Sequence, residues 1–358
     1  VSGRCVVVPL SAGLDSRLIV SGLRQAGHTD IRCFAYGLPH NFEAEASRSI
    51  AERLELPWTF VPLTPPIQCL TFQSEACRNY VRYSGNYSSV PFQQELHSMS
   101  TLIEKGFIPR DSVVLNGQSG DFITGNHIPA ELGNTTCGSN WPIVRDTLIA
   151  KHYSHWESLK TPENQDRIDR LLKQNLQESG CELEGSHPPH AVYELSEYDN
   201  RQAKYVVNGQ RLYEFLGLEW RLPLWDRDFV DLWRDIPVGL KLGQNLYRET
   251  LQRLNYCGVW DRLHYPERIS PPTLRPLRLF AKAMHAPFGR RAWHQFEKNW
   301  FAYWMDVVAN YAVVPYSTVR RDRRGHRNAI SWHIEAYLRD MDISFDSEIA
   351  LPLRSAAR

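Results

Sequence analysis

Two short segments carry residues whose type and spacing could handle the phosphates of a nucleotide. The first is Ser11-Ala12-Gly13-Leu14-Asp15-Ser16, which follows the β-branched run Cys5-Val6-Val7-Val8-Pro9-Leu10. A strand that ends in a small-residue turn and enters a helix leaves the turn's N–H groups unpaired, and the helix dipole adds partial positive charge. Such a turn suits an anion of the pyrophosphate kind. Ser11 and Ser16 add hydroxyl donors, whereas Asp15 belongs in an anion site only if it holds a Mg²⁺ that neutralises the phosphates. The competing account is an Asp-capped helix behind a glycine turn. Spacing alone does not separate the two, because the segment fits neither G-x-x-x-x-G-K-[ST] nor G-x-G-x-x-G. The second segment, Leu115-Asn116-Gly117-Gln118-Ser119-Gly120-Asp121-Phe122-Ile123-Thr124-Gly125, shifts that balance. Two parallel strands ending in such loops would set Asp15 and Asp121 at one carboxyl edge, where open α/β sheets bind ligands. Two carboxylates there can share a Mg²⁺ that bridges phosphates.

The elements that must hold these loops alternate between strand and helix patterns. Cys5–Leu10 reads as a strand buried on both faces, and a helix follows from about Asp15 to Gln25, stopped by Gly27. Ile31–Tyr36 is the second strand. Phe42, Ala46, Ile50 and Leu54 repeat every four residues and mark one helical face. Trp58–Val61 is the third strand, and a helix carrying Phe92, Leu96, Met99 and Ile103 precedes the fourth, Ser112–Leu115. The expected fold is α/β: over residues 1–135, a parallel sheet with helices on both faces. Strand signals fade beyond about residue 136, so 136–358 is expected to be mostly helical, completing the site around 219–248.

With 358 residues the chain can bury a sizeable core in two domains or one elaborated domain. Lys+Arg 41 against Asp+Glu 40 leaves almost no net charge, which argues against a nucleic acid as the main partner. No apolar run is long enough to cross a bilayer, no cleavable signal opens the chain, and no membrane partner is expected. The cysteines Cys5, Cys33, Cys69, Cys77, Cys137, Cys181 and Cys257 are odd in number, widely spaced and form no C-x-x-C. They suggest neither a disulfide framework nor a zinc site, and a reducing, cytoplasmic setting fits them. The chain begins at Val1 and enters a buried-looking strand almost at once, so further sequence upstream is expected.

At these residues the sequence resembles a family. Ser11–Ser16 is similar to the S-G-G-x-D-S pyrophosphate loop of the N-type ATP pyrophosphatases, and Asn116–Asp121 resembles the S-G-x-G-x-D segment of the asparagine synthetase branch. Glu219-Trp220-Arg221-Leu222-Pro223-Leu224-Trp225-Asp226 is similar to that branch's E-x-R-x-P-F-L-D, and Arg248 stands where the family has a helical arginine. The resemblance implies an adenine nucleotide alpha-hydrolase-like fold that binds ATP and Mg²⁺ and adenylates a carboxylate. Ammonia then displaces AMP to give an amide, with pyrophosphate as the other product. Carried over by residue, Leu10, Ser11, Ala12, Gly13, Leu14, Asp15 and Ser16, with Phe34, Ala35 and Gly117, would bind ATP. Asp15 and Asp121 would bind the metal. Glu219, Arg221, Asp226 and Arg248 would support the site. For Arg221 and Asp226, a buried ion pair joining the two halves is an equal alternative.

The departures fall on the acceptor side. Gln118 stands where asparagine synthetases carry an acidic residue, Phe122 replaces the Glu of their D-E pair, and Ala12 replaces a glycine. The family's catalytic lysine is missing from Asp261–Ser270, where Arg268 or Arg262 would have to substitute. Gln118 and Arg268 are therefore the catalytic candidates, and aspartate is not the expected substrate. No N-terminal cysteine nucleophile is available, since Cys5 lies inside a strand. Ammonia would come from solution, from a partner, or from a glutaminase domain upstream. The 116–122 segment with His127-Ile128-Pro129, and Asn208-Gly209-Gln210-Arg211, resemble a bacterial subgroup associated with surface polysaccharides. In that subgroup the acceptor would be a sugar uronic acid, amidated to a uronamide.

Three other features read more plainly. His152, His155, His187 and His190 are expected to be surface or loop histidines. Arg320–Arg327 is expected to be a solvated loop or an interdomain salt-bridge face. Glu194, Glu197 and Asp199 ahead of Arg201 and Lys204 suggest ordinary helical charge pairing. Two other functions compete: an ATP pyrophosphatase acting on another acceptor such as tRNA, and a catalytically silent nucleotide-binding protein. Keeping both Asp15 and Asp121 speaks against the second.

Overall fold

The computed structural model describes residues 1, 3–134, 140–183, 187–261, 273–305 and 313–343. Five parallel strands form one sheet in the order β3-β2-β1-β4-β5: β1 Val6–Pro9, β2 Ile31–Gly37, β3 Trp58–Pro62, β4 Val113–Leu115 and β5 Glu219–Arg221. Val6 pairs with Ile31 on one side and Val113 on the other, so β1 lies between β2 and β4. The chain leaves β1 toward β2 and later returns to the opposite side at β4. Order reverses there, and the crevice beyond the carboxyl ends of β1 and β4 is the place where such sheets bind ligands.

The sheet is covered on both faces, as the apolar runs require. Val6 and Val8 point into a core with Ile19 and Val20 of helix α1 (Leu14–Gln25) and Ile50 and Ala51 of α2 (Phe42–Arg53). Val7, one residue out of phase, points the other way, toward Met99 and Leu102 of α3 (Leu96–Glu104) and Tyr213. Helix α3 starts later than the apolar pattern suggested, because Phe92 lies ahead of it and packs against Gly209.

Beyond residue 136 the described chain is helical except for β5, a strand the sequence did not signal. It is three residues long, sits at the sheet edge and has charged residues at both ends, so it shows no apolar alternation. No helix among the described residues is long and apolar enough to cross a membrane. The described cysteines are free; Cys137 lies outside the described residues.

The basic run at 320–327 proves to be a bridge. Arg324 is buried between Asp322 (2.7 Å) and Glu335 (2.9 Å), its guanidinium 4.1 Å from the centre of the Trp156 ring. Arg327 donates to the carbonyl of Ala150 at 2.9 Å, and its backbone N–H donates to that of His155. Arg324→Ala strands two buried carboxylates and is expected to cost about 3–5 kcal/mol. Urea unfolding of the variant checks this; a loss below about 1 kcal/mol would show that the pair is dispensable.

Candidate active site at the carboxyl edge of the sheet

The crevice at the switch point is a cleft of about 390 Å³. Its lining includes Leu10, Ser11, Gly13, Asp15 and Ser16 from the first loop, Phe34 and Ala35 from β2, and Asn116, Gly117, Gln118 and Asp121 from the second loop. Most of the expected ATP-site residues therefore meet in one place. Ala12 and Leu14 do not line it: Ala12 is buried, and Leu14 packs against the core.

The first loop is built to leave donors open. Gly13 precedes α1 in extended conformation, and no side chain caps the helix. That removes the Asp-capped account, since Asp15 is already inside the helix. Ser11 and Ser16 tie the turn to itself: the Ser11 N–H donates to Ser16 Oγ at 3.1 Å, and the Gly13 N–H donates to Ser11 Oγ at 3.1 Å. No residue from Ser11 to Ser16 has left-handed backbone, so Ala12 in place of a glycine carries no strain. Behind the loop, fully buried Arg17 donates to the Ala12 carbonyl at 3.1 Å, its guanidinium 5.0 Å from the centre of the Trp260 ring. No local pattern marks this charge beneath the anion turn.

The second loop is pressed onto the first. A Cβ at Gly117 would lie 2.7 Å from the Ser16 nitrogen, and one at Gly120 would lie 2.6 Å from Asp15 Oδ1 and 2.5 Å from Leu224. Gly117 faces backbone, so only glycine fits there; at Gly120 any side chain would have to displace those of Asp15 and Leu224. Ser119 between them takes left-handed backbone at φ 75°, which a non-glycine residue holds only under constraint. Its hydroxyl donates to buried Gln202 at 3.2 Å.

This packing brings the two aspartates together. Asp15 accepts hydrogen bonds from the Tyr247 hydroxyl (3.0 Å), on α4 (Asn245–Leu254), and from the backbone of Asp121. Burial, then the charge of Asp121, push Asp15 up to about 7. Burial would raise Asp121 too, but the hydrogen bond and charge of His127 outweigh it and hold Asp121 below its ordinary value. Two neighbouring carboxylates, one opposing the other's ionisation beside an uncapped helix N-terminus, fit a divalent cation. Among the described residues no group of three or more His, Cys, Asp or Glu could hold a metal. Phosphate oxygens and water would complete the shell of a two-carboxylate site.

Behind Asp121 runs a buried polar chain. His127 Nε2 lies 3.2 Å from Asp121 and its Nδ1 2.7 Å from Glu197. The Glu197 side chain has no solvent exposure and also meets Lys151 (2.6 Å), His152 (2.6 Å) and the Tyr193 hydroxyl (2.7 Å). Burial opposes its charge, but the hydrogen bonds from His127 and His152 hold the carboxyl far below the usual range. Glu197 is thus no surface pairing residue, and His152 no loop histidine. Glu197 opens a π-helical stretch, Glu197–Val207, a geometry that recurs at functional sites.

Other placements sharpen or correct the expectations. Gln118 lines the cleft, and Gln210 Nε2 donates to its Oε1 at 2.6 Å, so the NH₂ end of Gln118 is left as a donor. Glu95, unnoticed in the sequence, also lines the cleft; burial lifts it to about 7, and it accepts from Tyr213 (2.7 Å) and Tyr36 (3.2 Å). Arg221 and Asp226 form no buried pair. Arg221 is exposed beside Glu219 at 3.0 Å, Glu219 reaches Arg4 at 2.8 Å, and Asp226 caps the helix Arg227–Arg234. Their segment touches the site through Leu224 instead. Arg248 follows Tyr247, half-buried and away from the cleft lining, with no hydrogen-bond partner for its Nε among the described residues. Arg262 and Arg268 lie outside the described residues.

A family model described as asparagine synthase matches residues 1–256. No curated protein matches the chain.

Proposed function

The chain belongs to the asparagine synthase family of ATP-dependent amide-forming synthetases, and on that premise we propose that it adenylates a carboxylate and passes the acyl group to ammonia. The observation that carries the proposal is the seating of Gly117 and Gly120 on Asp15, which sets two carboxylates beside an uncapped helix N-terminus at one end of the cleft. The uncapped N–H groups at the start of α1 receive the β- and γ-phosphates. Leu10, Phe34 and Ala35 supply the less polar wall for the adenosine, and Gly117 lies against AMP. A substrate carboxylate oxygen attacks the α-phosphorus, the bond to the β-phosphate oxygen breaks, and pyrophosphate leaves. Ammonia then attacks the acyl carbon, the bond to AMP breaks, and the amide nitrogen gives up a proton. Asp15 and Asp121 would hold Mg²⁺, which supplies positive charge to the phosphates when bound. The ammonia comes from solution, a partner or a glutaminase domain upstream.

Gln118 supports an acceptor other than aspartate. A carboxamide whose oxygen is already taken offers donors, which suit hydroxyl, carboxylate or carbonyl oxygens and not an ammonium group. A sugar uronic acid meets that chemistry. Pyrophosphate release with ATP, Mg²⁺ and ammonium should appear with uronic acids or their nucleotide sugars and not with amino acids. No release from either panel, together with no ATP binding, would overturn the proposal. Gln118→Glu places a carboxylate against these oxygens and should raise the acceptor KM about tenfold or more, with the KM for ATP little changed. An unchanged acceptor KM would remove Gln118 from acceptor recognition.

A further inference from the structure

Residues 275–300 form a helical hairpin whose first helix is turned inside out. In α5 (Arg275–His285), Arg278 and His285 face the partner helix α6 (Gly289–Trp300): Arg278 donates to Glu297 at 2.6 Å, and the His285 ring lies 4.1 Å from that of Phe296. The opposite side carries Leu277, Phe280 and Met284 at i, i+3 and i+7, which are 61, 69 and 59% exposed. Phe288, 72% exposed, prolongs the stripe past the helix end. Arg275, Lys282, Arg290 and Arg291 are exposed along the hairpin, and no acidic residue occurs from Thr273 to Phe296.

An apolar stripe facing outward within a cationic segment calls for a partner with the same two-part chemistry. A second copy is disfavoured, because stripe-to-stripe pairing would bring four exposed cations from each chain together with no acid to offset them. Nucleic acid would satisfy the cations but gain little from Leu277, Phe280, Met284 and Phe288. An anionic lipid surface satisfies both, the acyl boundary taking the stripe and the headgroups the cations. We propose that the 275–300 hairpin docks this protein onto an anionic membrane surface, lying in the interface and not crossing it. Spanning and lying on a membrane are separate physical claims, and only the first is closed to the described helices.

The test is co-sedimentation with vesicles of phosphatidylcholine alone and of phosphatidylcholine mixed with phosphatidylglycerol. Binding to the mixed vesicles and weak binding to the neutral ones is expected, falling as salt rises. Phe280→Ser combined with Phe288→Ser should reduce partitioning by about tenfold or more, and Arg290→Glu with Arg291→Glu by a similar factor. Both pairs are exposed, so thermal melting should hardly change. Three results would overturn the proposal: no binding to mixed vesicles; dimers in light scattering that the phenylalanine substitutions dissociate; or RNA binding lost on charge reversal but indifferent to the phenylalanines.

Discussion

Asp15→Asn and Asp121→Asn are each expected to lower pyrophosphate release by about a thousandfold or more, since each removes one of two charges that would position the cation on the phosphates. Their effects on stability should differ in sign. Asp15 is pushed up to about 7 from 3.8, chiefly by burial and then by Asp121. A carboxyl raised on folding binds its proton more tightly in the native state, so ionising it costs stability as pH rises between those two values. At pH 8 that cost is fully present, and Asp15→Asn should recover on the order of 1–3 kcal/mol in the metal-free protein. Asp121 is held below its ordinary value by His127. Replacing it loses stability above about pH 4, modestly because the side chain is partly solvated. Adding Mg²⁺ should raise the melting temperature of the wild type and leave Asp15→Asn unchanged. Near-normal turnover in either variant, or an equal Mg²⁺ response, would remove that aspartate from metal binding.

The features that could be read from the sequence are those with local pattern. Val6–Pro9 and Val113–Leu115 are apolar on both faces, Ile31–Gly37 is so apart from Arg32, and the turns after Val6–Pro9 and Val113–Leu115 carry the glycines and serines of a close approach. The sheet and both site loops follow from that. β5 did not, because an edge strand of only Glu-Trp-Arg, paired through its backbone with β4, shows no apolar alternation. The polar network was equally silent. His127 and Glu197 lie 70 residues apart, His152 and Glu197 lie 45 apart, and Gln118 and Gln210 lie 92 apart. Each looks like an ordinary surface residue until the fold places its partner. The Arg320–Arg327 run reads equally as a solvated loop or a salt-bridge face, and only Trp156 and Glu335, distant in sequence or on another helix, show that Arg324 is buried and paired.

Glu197→Gln is the second large effect. Removing the carboxylate leaves His127, Lys151 and His152 without the anion they share, and the expected loss is about 3–5 kcal/mol at neutral pH. The pH profile carries the sign. Glu197 is depressed on folding, so its contribution is complete above about pH 4.5 and fades as pH falls below it. His127 is raised: burial opposes its charge, but Asp121 and Glu197 outweigh that. Its contribution is complete below about pH 6.5 and fades as pH rises through its folded value. The stability gap between wild type and Glu197→Gln should therefore be widest between these limits and narrow on both sides. Activity separates positioning from mere stability. His127 ties Asp121 to Glu197, so loosening the chain should raise the Mg²⁺ concentration for half-maximal activity by about 10–100-fold. His127→Gln leaves Glu197 its bonds to Lys151, His152 and Tyr193, and should remain folded while showing the same Mg²⁺ shift. If that folded variant needed no more Mg²⁺ than the wild type, the chain would be structural and Asp121 would be held by its loop alone.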